Sequence, residues 1–171
     1  MEIQTLRQIN LAELYDQDEY LWIVESINLL QNRQLQLLDI EHLVETLKQL
    51  GRSQFNQVRS LLKQIIIHLL LLQYWETEYE YNHRHWQAEI INFRDELQQN
   101  LTTSLKNKLI KELESIYQIS IRLVIKKTDL PSETFSAYCP YTWDQLVNDR
   151  WYPLNNSRSS LGKRQSPKDN R

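Results

Sequence analysis

Glycine and proline are nearly missing from this chain: it has two Gly and four Pro in 171 residues, and before Pro131 only Gly51 interrupts the run. A sheet protein needs more turn formers than that, because tight hairpins draw on residues that reach positive φ or hold φ fixed. Cysteine is also scarce. The lone Cys139 excludes an intrachain disulfide, and the expected setting is cytoplasmic. No long apolar run exists either, since the greasiest stretch, 61–75, is broken by Lys63, Gln64, His68 and Gln73. It falls short of the ~20 apolar residues a bilayer crossing requires, so no membrane span is expected. Residues 1–13 mix Glu2, Gln4, Arg7, Gln8 and Asn10 with apolar side chains, so no signal peptide is expected. The chain lacks a glycine-rich phosphate loop, a Gly-x-Ser-x-Gly elbow and a His-Glu-x-x-His pair, which disfavours nucleotide-fuelled enzymes and familiar hydrolases.

What is present is ordinary globular chemistry: 41% apolar and 25% charged residues, with 20 Lys and Arg against 22 Asp and Glu. A chain of this length buries roughly 70% of its unfolded surface without a staple, and one domain is expected. The charges are unevenly placed. Residues 154–171 hold five of the basic and one of the acidic side chains, leaving +4 on the tail and −6 on the body. An acidic body offers no counterion-release drive toward nucleic acid. The tail carries almost nothing to bury and is expected to be disordered.

Apolar spacing predicts helices. Asp16 and Glu19 form a possible capping box ahead of Tyr20, Leu21, Val24, Ile27 and Leu30, giving a first helix to about Asn32. Asp39 can cap a second, with the stripe Ile40, Leu43, Val44, Leu47 and Leu50, and Gly51 is its expected left-handed stop. Ser53 can cap a third to about Tyr74, apolar on nearly every side and therefore central. Residues 76–85 read as polar, aromatic and irregular, and a fourth helix starts at Trp86 with Ile90, Phe93, Leu97 and Leu101. One of Thr102, Thr103 and Ser104 caps a fifth, which ends near Lys126 and Lys127, where cations suit the helix dipole. Residues 128–153 form a proline-containing strap, with Thr142 and Gln145 boxing a short helix. The expected fold is all-α: a compact single-domain bundle of about five main helices over residues 1–153 including the strap, followed by the tail 154–171.

Several segments together resemble a known family. They are Leu14-Tyr15-Asp16-Gln17-Asp18-Glu19-Tyr20-Leu21-Trp22, Asp39-Ile40-Glu41-His42-Leu43-Val44-Glu45, Leu50-Gly51-Arg52-Ser53, His68-Leu69-Leu70, Trp86, Cys139-Pro140-Tyr141-Thr142 and Trp151-Tyr152-Pro153. In this order, over about residues 11–153, they resemble the mainly cyanobacterial family catalogued as domain of unknown function 29. The resemblance implies a compact helical domain and supplies no activity. Where that family often has Arg-Ser before its Trp, this chain has Arg84-His85-Trp86, with a further His83.

Two constellations could carry function. Glu41, His42 and Glu45 on the second predicted helix, with His68 on the third, could converge as a metal site (His42, Glu45, His68) or poise a general base, with Glu76 or His83 drawn in. The plainer expectation is that His68 is a core histidine bonded to Glu41 or Glu45, because an unpaired buried polar group costs ~1–3 kcal/mol. The second is the aromatic cluster Trp75, Tyr79, Tyr81, Arg84 and Trp86, read as a cap on the bundle end or a surface for a protein partner. Interspersed Glu76, Glu78 and Glu80 argue against base stacking there. Cys139 has no sequence-near His to activate it. The expected function is a non-enzymatic interaction or regulatory module, engaging a protein partner or forming a homo-oligomer, with no cofactor implied and no catalytic residue identified. The alternative is a metal-dependent hydrolase or other enzyme at the Glu/His cluster.

Overall fold

The computed structural model describes residues 11–156. Among them are six α-helices and no strand, as the shortage of turn formers requires. They are α1 (Leu11–Gln17), α2 (Glu19–Gln31), α3 (Ile40–Tyr74), α4 (Glu76–Asn100), α5 (Thr103–Thr128) and α6 (Trp143–Val147). The chain divides into two compact units at Ser53 and Gln54. All but three residues of the expected tail, 154–171, lie outside the described residues. Asn155 is buried, and its Nδ2 donates to the Leu72 carbonyl at 2.9 Å.

In the first unit the expected single opening helix is two. Asp18, not Asp16, is the cap: its backbone is extended, and its Oδ1 accepts from the Leu21 N–H at 2.9 Å. Asp16 lies inside α1, whose Leu11 is buried, and a residue held in helical geometry cannot serve as an N-cap. α2 closes through a left-handed Arg33 (φ 57), with the Arg33 and Gln34 N–H groups donating to Leu30 and Leu29, a Schellman ending without glycine. Asp39 does cap α3, accepting from the His42 N–H at 3.3 Å.

Gly51 does not stop anything. α3 runs unbroken from Ile40 to Tyr74, and Gly51 has no positive φ. A glycine ends a helix only where the chain beyond it leaves helical space. Here good helix formers follow on both sides, no proline intervenes, and propagation outweighs the ~1 kcal/mol glycine penalty. Residues 54–74 of this helix are the centre of the second unit, as expected from their apolar character, with Val58, Leu62, Ile65, Ile66, Leu69, Leu70 and Leu71 fully buried. α4 supplies Trp86, Ile90 and Leu97 to the same core, and α5 supplies Leu109, Ile116, Tyr117 and Val124.

α4 begins at Glu76, ten residues before the expected start, so the stretch 76–85 is helical. Only Trp75 separates it from α3, and no side chain caps it. α5 follows the predicted rules: Thr102 accepts from the Leu105 N–H, Lys126 and Lys127 occupy the last turn, and Asp129 (φ 54) closes it. The strap is pinned by side chains. Tyr117 Oη donates to the Ser136 carbonyl at 3.0 Å, Tyr141 Oη donates to Gln73 Oε1 at 2.7 Å, and the Thr142–Gln145 box forms in full around α6.

Candidate functional site

The two helices between which Glu41, His42, Glu45 and His68 were to converge are one helix. Glu41, His42 and Glu45 belong to the first unit and His68 to the second, each with its own surroundings. The expected pairing of His68 with Glu41 or Glu45 is replaced by a local one: Nδ1–H donates to the Gln64 carbonyl one turn back, at 2.8 Å. The ring tilts against Phe93 at 5.4 Å between centroids. Burial holds its pKa below the ordinary 6.5, with Lys127 and His85 acting the same way while the Gln64 carbonyl and Glu89 oppose. The principle that a half-buried imidazole must find a partner holds, but the helix backbone supplies it.

His42 is the converse. Its Nδ1 lies 2.6 Å from Asp39 Oδ2, and its ring stacks on Tyr15 of α1 at 4.1 Å. The Asp39 hydrogen bond raises its pKa against desolvation, helped by the charges of Asp39, Asp16 and Glu41. Tyr15 in turn meets Trp22 edge-on at 5.0 Å. Among the described residues no group of three or more His, Cys, Asp or Glu could hold a metal ion, which leaves His42, Glu45 and His68 without the arrangement such a site requires.

The aromatic segment is split by its helical geometry. Trp86 is buried in the core rather than presented as surface, with Trp75 stacked on it at 5.7 Å. Tyr79 is half-buried and lies flat on His83 at 5.0 Å, and the His83 Nδ1–H donates to the Tyr79 carbonyl. Tyr81 and Arg84 alone of the five stand exposed. Trp75 and Trp86 pack together at the core, and Tyr81 and Arg84 do not form one continuous exposed surface with them.

A different surface stands out. On the first part of α3, Ile40 is 55% exposed, Val44 43%, Leu47 58% and Leu50 56%. His42, Leu43 and Thr46 are the partly covered ones, with His42 against Tyr15. The side bearing Ile40, Val44, Leu47 and Leu50 therefore faces out, and the edge bearing His42 faces α1. A shallow groove runs beside the stripe, and its described lining (Ile40, Glu41, Val44, Glu45, Lys48, Arg52) comes from α3 alone. Among the described residues, ten of the sixteen exposed large apolar side chains lie between Tyr20 and Leu50. The buried atoms Trp22 Nε1, Ser26 Oγ and Thr46 Oγ1, all in this unit, have no hydrogen-bond partner among the described residues.

Arg94 is the residue that sequence reasoning missed. It lies on the core stripe of α4 between Ile90 and Leu97, a spacing visible in the sequence, and is fully buried. Its guanidinium donates to the carbonyls of Leu146 (2.8 Å), Gln145 (2.9 Å) and Trp151 (3.1 Å) and lies over the Tyr152 ring at 5.4 Å. Burial lowers its pKa, opposed by Tyr152 and Asp149. It is a clamp on the strap, not a ligand group. Cys139 is half-buried: burial pushes its thiol up, opposed by the Tyr141 carbonyl, and its backbone N–H donates to Glu114 Oε2.

No helix among the described residues is long and apolar enough to cross a membrane. No curated protein and no solved structure matches the chain. Residues 14–152 match the family model described as "Domain of unknown function DUF29". The match covers most of the chain, and the chain belongs to that family.

Proposed function

We propose, with membership of this family as the premise, that the protein is a non-enzymatic interaction module working in the cytoplasm, and that its docking surface is the outward apolar face of the first unit. One observation carries the reading: Ile40, Val44, Leu47 and Leu50 are each about half exposed along one side of α3, while His42, Leu43 and Thr46 on the same turns are more covered. Leaving several large aliphatic groups hydrated costs about 1.5–3 kcal/mol each relative to full burial, and a contiguous exposed patch of this kind marks a partner's place. The Glu/His cluster lacks the convergence that an enzyme would need, so chemistry gives way to recognition.

The test compares the wild-type full chain with a Val44→Asp/Leu47→Asp variant as baits in native lysate, after circular dichroism and melting show both folded. The expected result is a protein held by the wild type and lost from the variant. Equal capture by both, or stoichiometric metal in the purified protein together with hydrolytic activity lost on changing His42, would overturn the reading.

A further inference from the structure

We infer that the occupant of this face is a second copy of the chain, with residues 40–52 of two α3 helices packed antiparallel about a two-fold axis near Thr46 and Leu47. The inference rests on the interaction-module reading and adds the identity of the partner. The flank of the exposed stripe carries Glu41 and Glu45 in its first half and Lys48 and Arg52 in its second, all four lining one groove. None of the four makes an ion pair among the described residues. Within one helix Glu41 faces Glu45 and Lys48 faces Arg52 at i, i+4, where like charges repel, and only Glu45 and Lys48 stand at an attractive i, i+3 spacing.

A copy laid antiparallel reverses the sign at every step. Glu41 comes opposite Arg52 and Glu45 opposite Lys48, twice over by symmetry. A parallel two-fold pair would carry the two flanks to opposite sides of the interface, where these charges do not meet. Self-complementarity of this kind is what a two-fold interface demands, since the same patch must serve both sides. A flank with no net charge favours neither an anionic lipid surface nor a polyanion. The apolar centre of the stripe, Val44 and Leu47, falls at the axis, where side chains are most fully covered on pairing.

Sedimentation and light scattering of the purified full chain across a concentration series read the outcome. A dimer is expected, with Leu47→Asp a folded monomer. Reversing one half of the flank, Glu41→Lys/Glu45→Lys, should weaken self-association at least tenfold. Adding Lys48→Glu/Arg52→Glu in the same chain should restore it, which only antiparallel pairing predicts. A wild type that stays monomeric, or a dimer indifferent to these reversals, overturns the inference. If the wild type is monomeric but a lysate protein is still lost from the Val44→Asp/Leu47→Asp bait, the module reading stands and the partner is a different chain. If neither is seen, both fall.

Discussion

Residues 40–53 and 54–74 of α3 lie on one helix and draw on the same aliphatic side chains, yet the first stretch leaves Leu47 and Leu50 in water while the second hides Leu62, Ile65, Ile66, Leu69 and Leu70 completely. Composition separates them in part, since the first stretch carries Glu41, Glu45, Lys48 and Arg52 and the second only Arg59 and Lys63; the neighbours do the rest. The later stretch is ringed by apolar side chains from α4, α5 and the strap, so an all-round apolar helix finds cover on every side. The earlier stretch has α1 against its polar edge through His42 and Tyr15. Polar satisfaction divides in the same way. The first unit holds the unpartnered buried atoms of Trp22, Ser26 and Thr46, whereas in the second even a fully buried guanidinium finds three carbonyls.

The contrast can be broken most sharply by matched truncations. Leu70→Ala should lower stability by about 2–5 kcal/mol in chemical denaturation. Leu47→Ala, measured at concentrations where the chain is monomeric, should fall within about 0.5 kcal/mol of wild type. Comparable losses would mean that the leading face of α3 is covered within the chain itself.

A smaller effect of opposite sign is expected at Gly51, near the end of the first stretch. A Cβ added there meets nothing within 4 Å, and the backbone has no positive φ. Gly51→Ala should therefore stabilise by roughly 0.5–1 kcal/mol, seen as a higher melting temperature. A loss would show that the helix needs a break at that point.

The finest probe is the pair of histidines, one in each stretch. In an NMR pH titration His42 should have its midpoint above 6.5 and His68 below it. The signs oppose. The raised pKa of His42 contributes stability that is fully present below 6.5 and is lost as pH rises through its folded value. The lowered pKa of His68 makes the fold lose stability as pH falls from 6.5 toward its folded value. Asp39→Asn should bring His42 back toward 6.5 and leave His68 unmoved. Midpoints on the same side of 6.5 would remove the distinction.

Much of this architecture was legible from spacing and caps. Asp39, Thr102 and the Thr142–Gln145 box are read from residue type because a cap is a local hydrogen bond. The failures are equally physical. Gly51 carries the sign of a stop, but that sign means nothing unless the following chain turns away. The early start of α4 was hidden because no side chain caps it and its first ten residues, 76–85, hold no aliphatic side chain, leaving no apolar stripe to count. The partner of His68 is not a carboxylate from another helix, because the Gln64 carbonyl one turn back is already within reach of its ring. The outward face of α3 was visible as a stripe, but only coordinates could say which side its neighbours take.

Arg94 constrains the order in which the molecule can be made. Its three acceptors lie 51 to 57 residues further along the chain. A polypeptide emerging from the ribosome therefore carries a cation amid its condensing interior with nothing to quiet it until residues 145–151 have been synthesised. Translation of that segment is the step that completes the second unit, and a nascent product cut off before it would be left for chaperones and proteases.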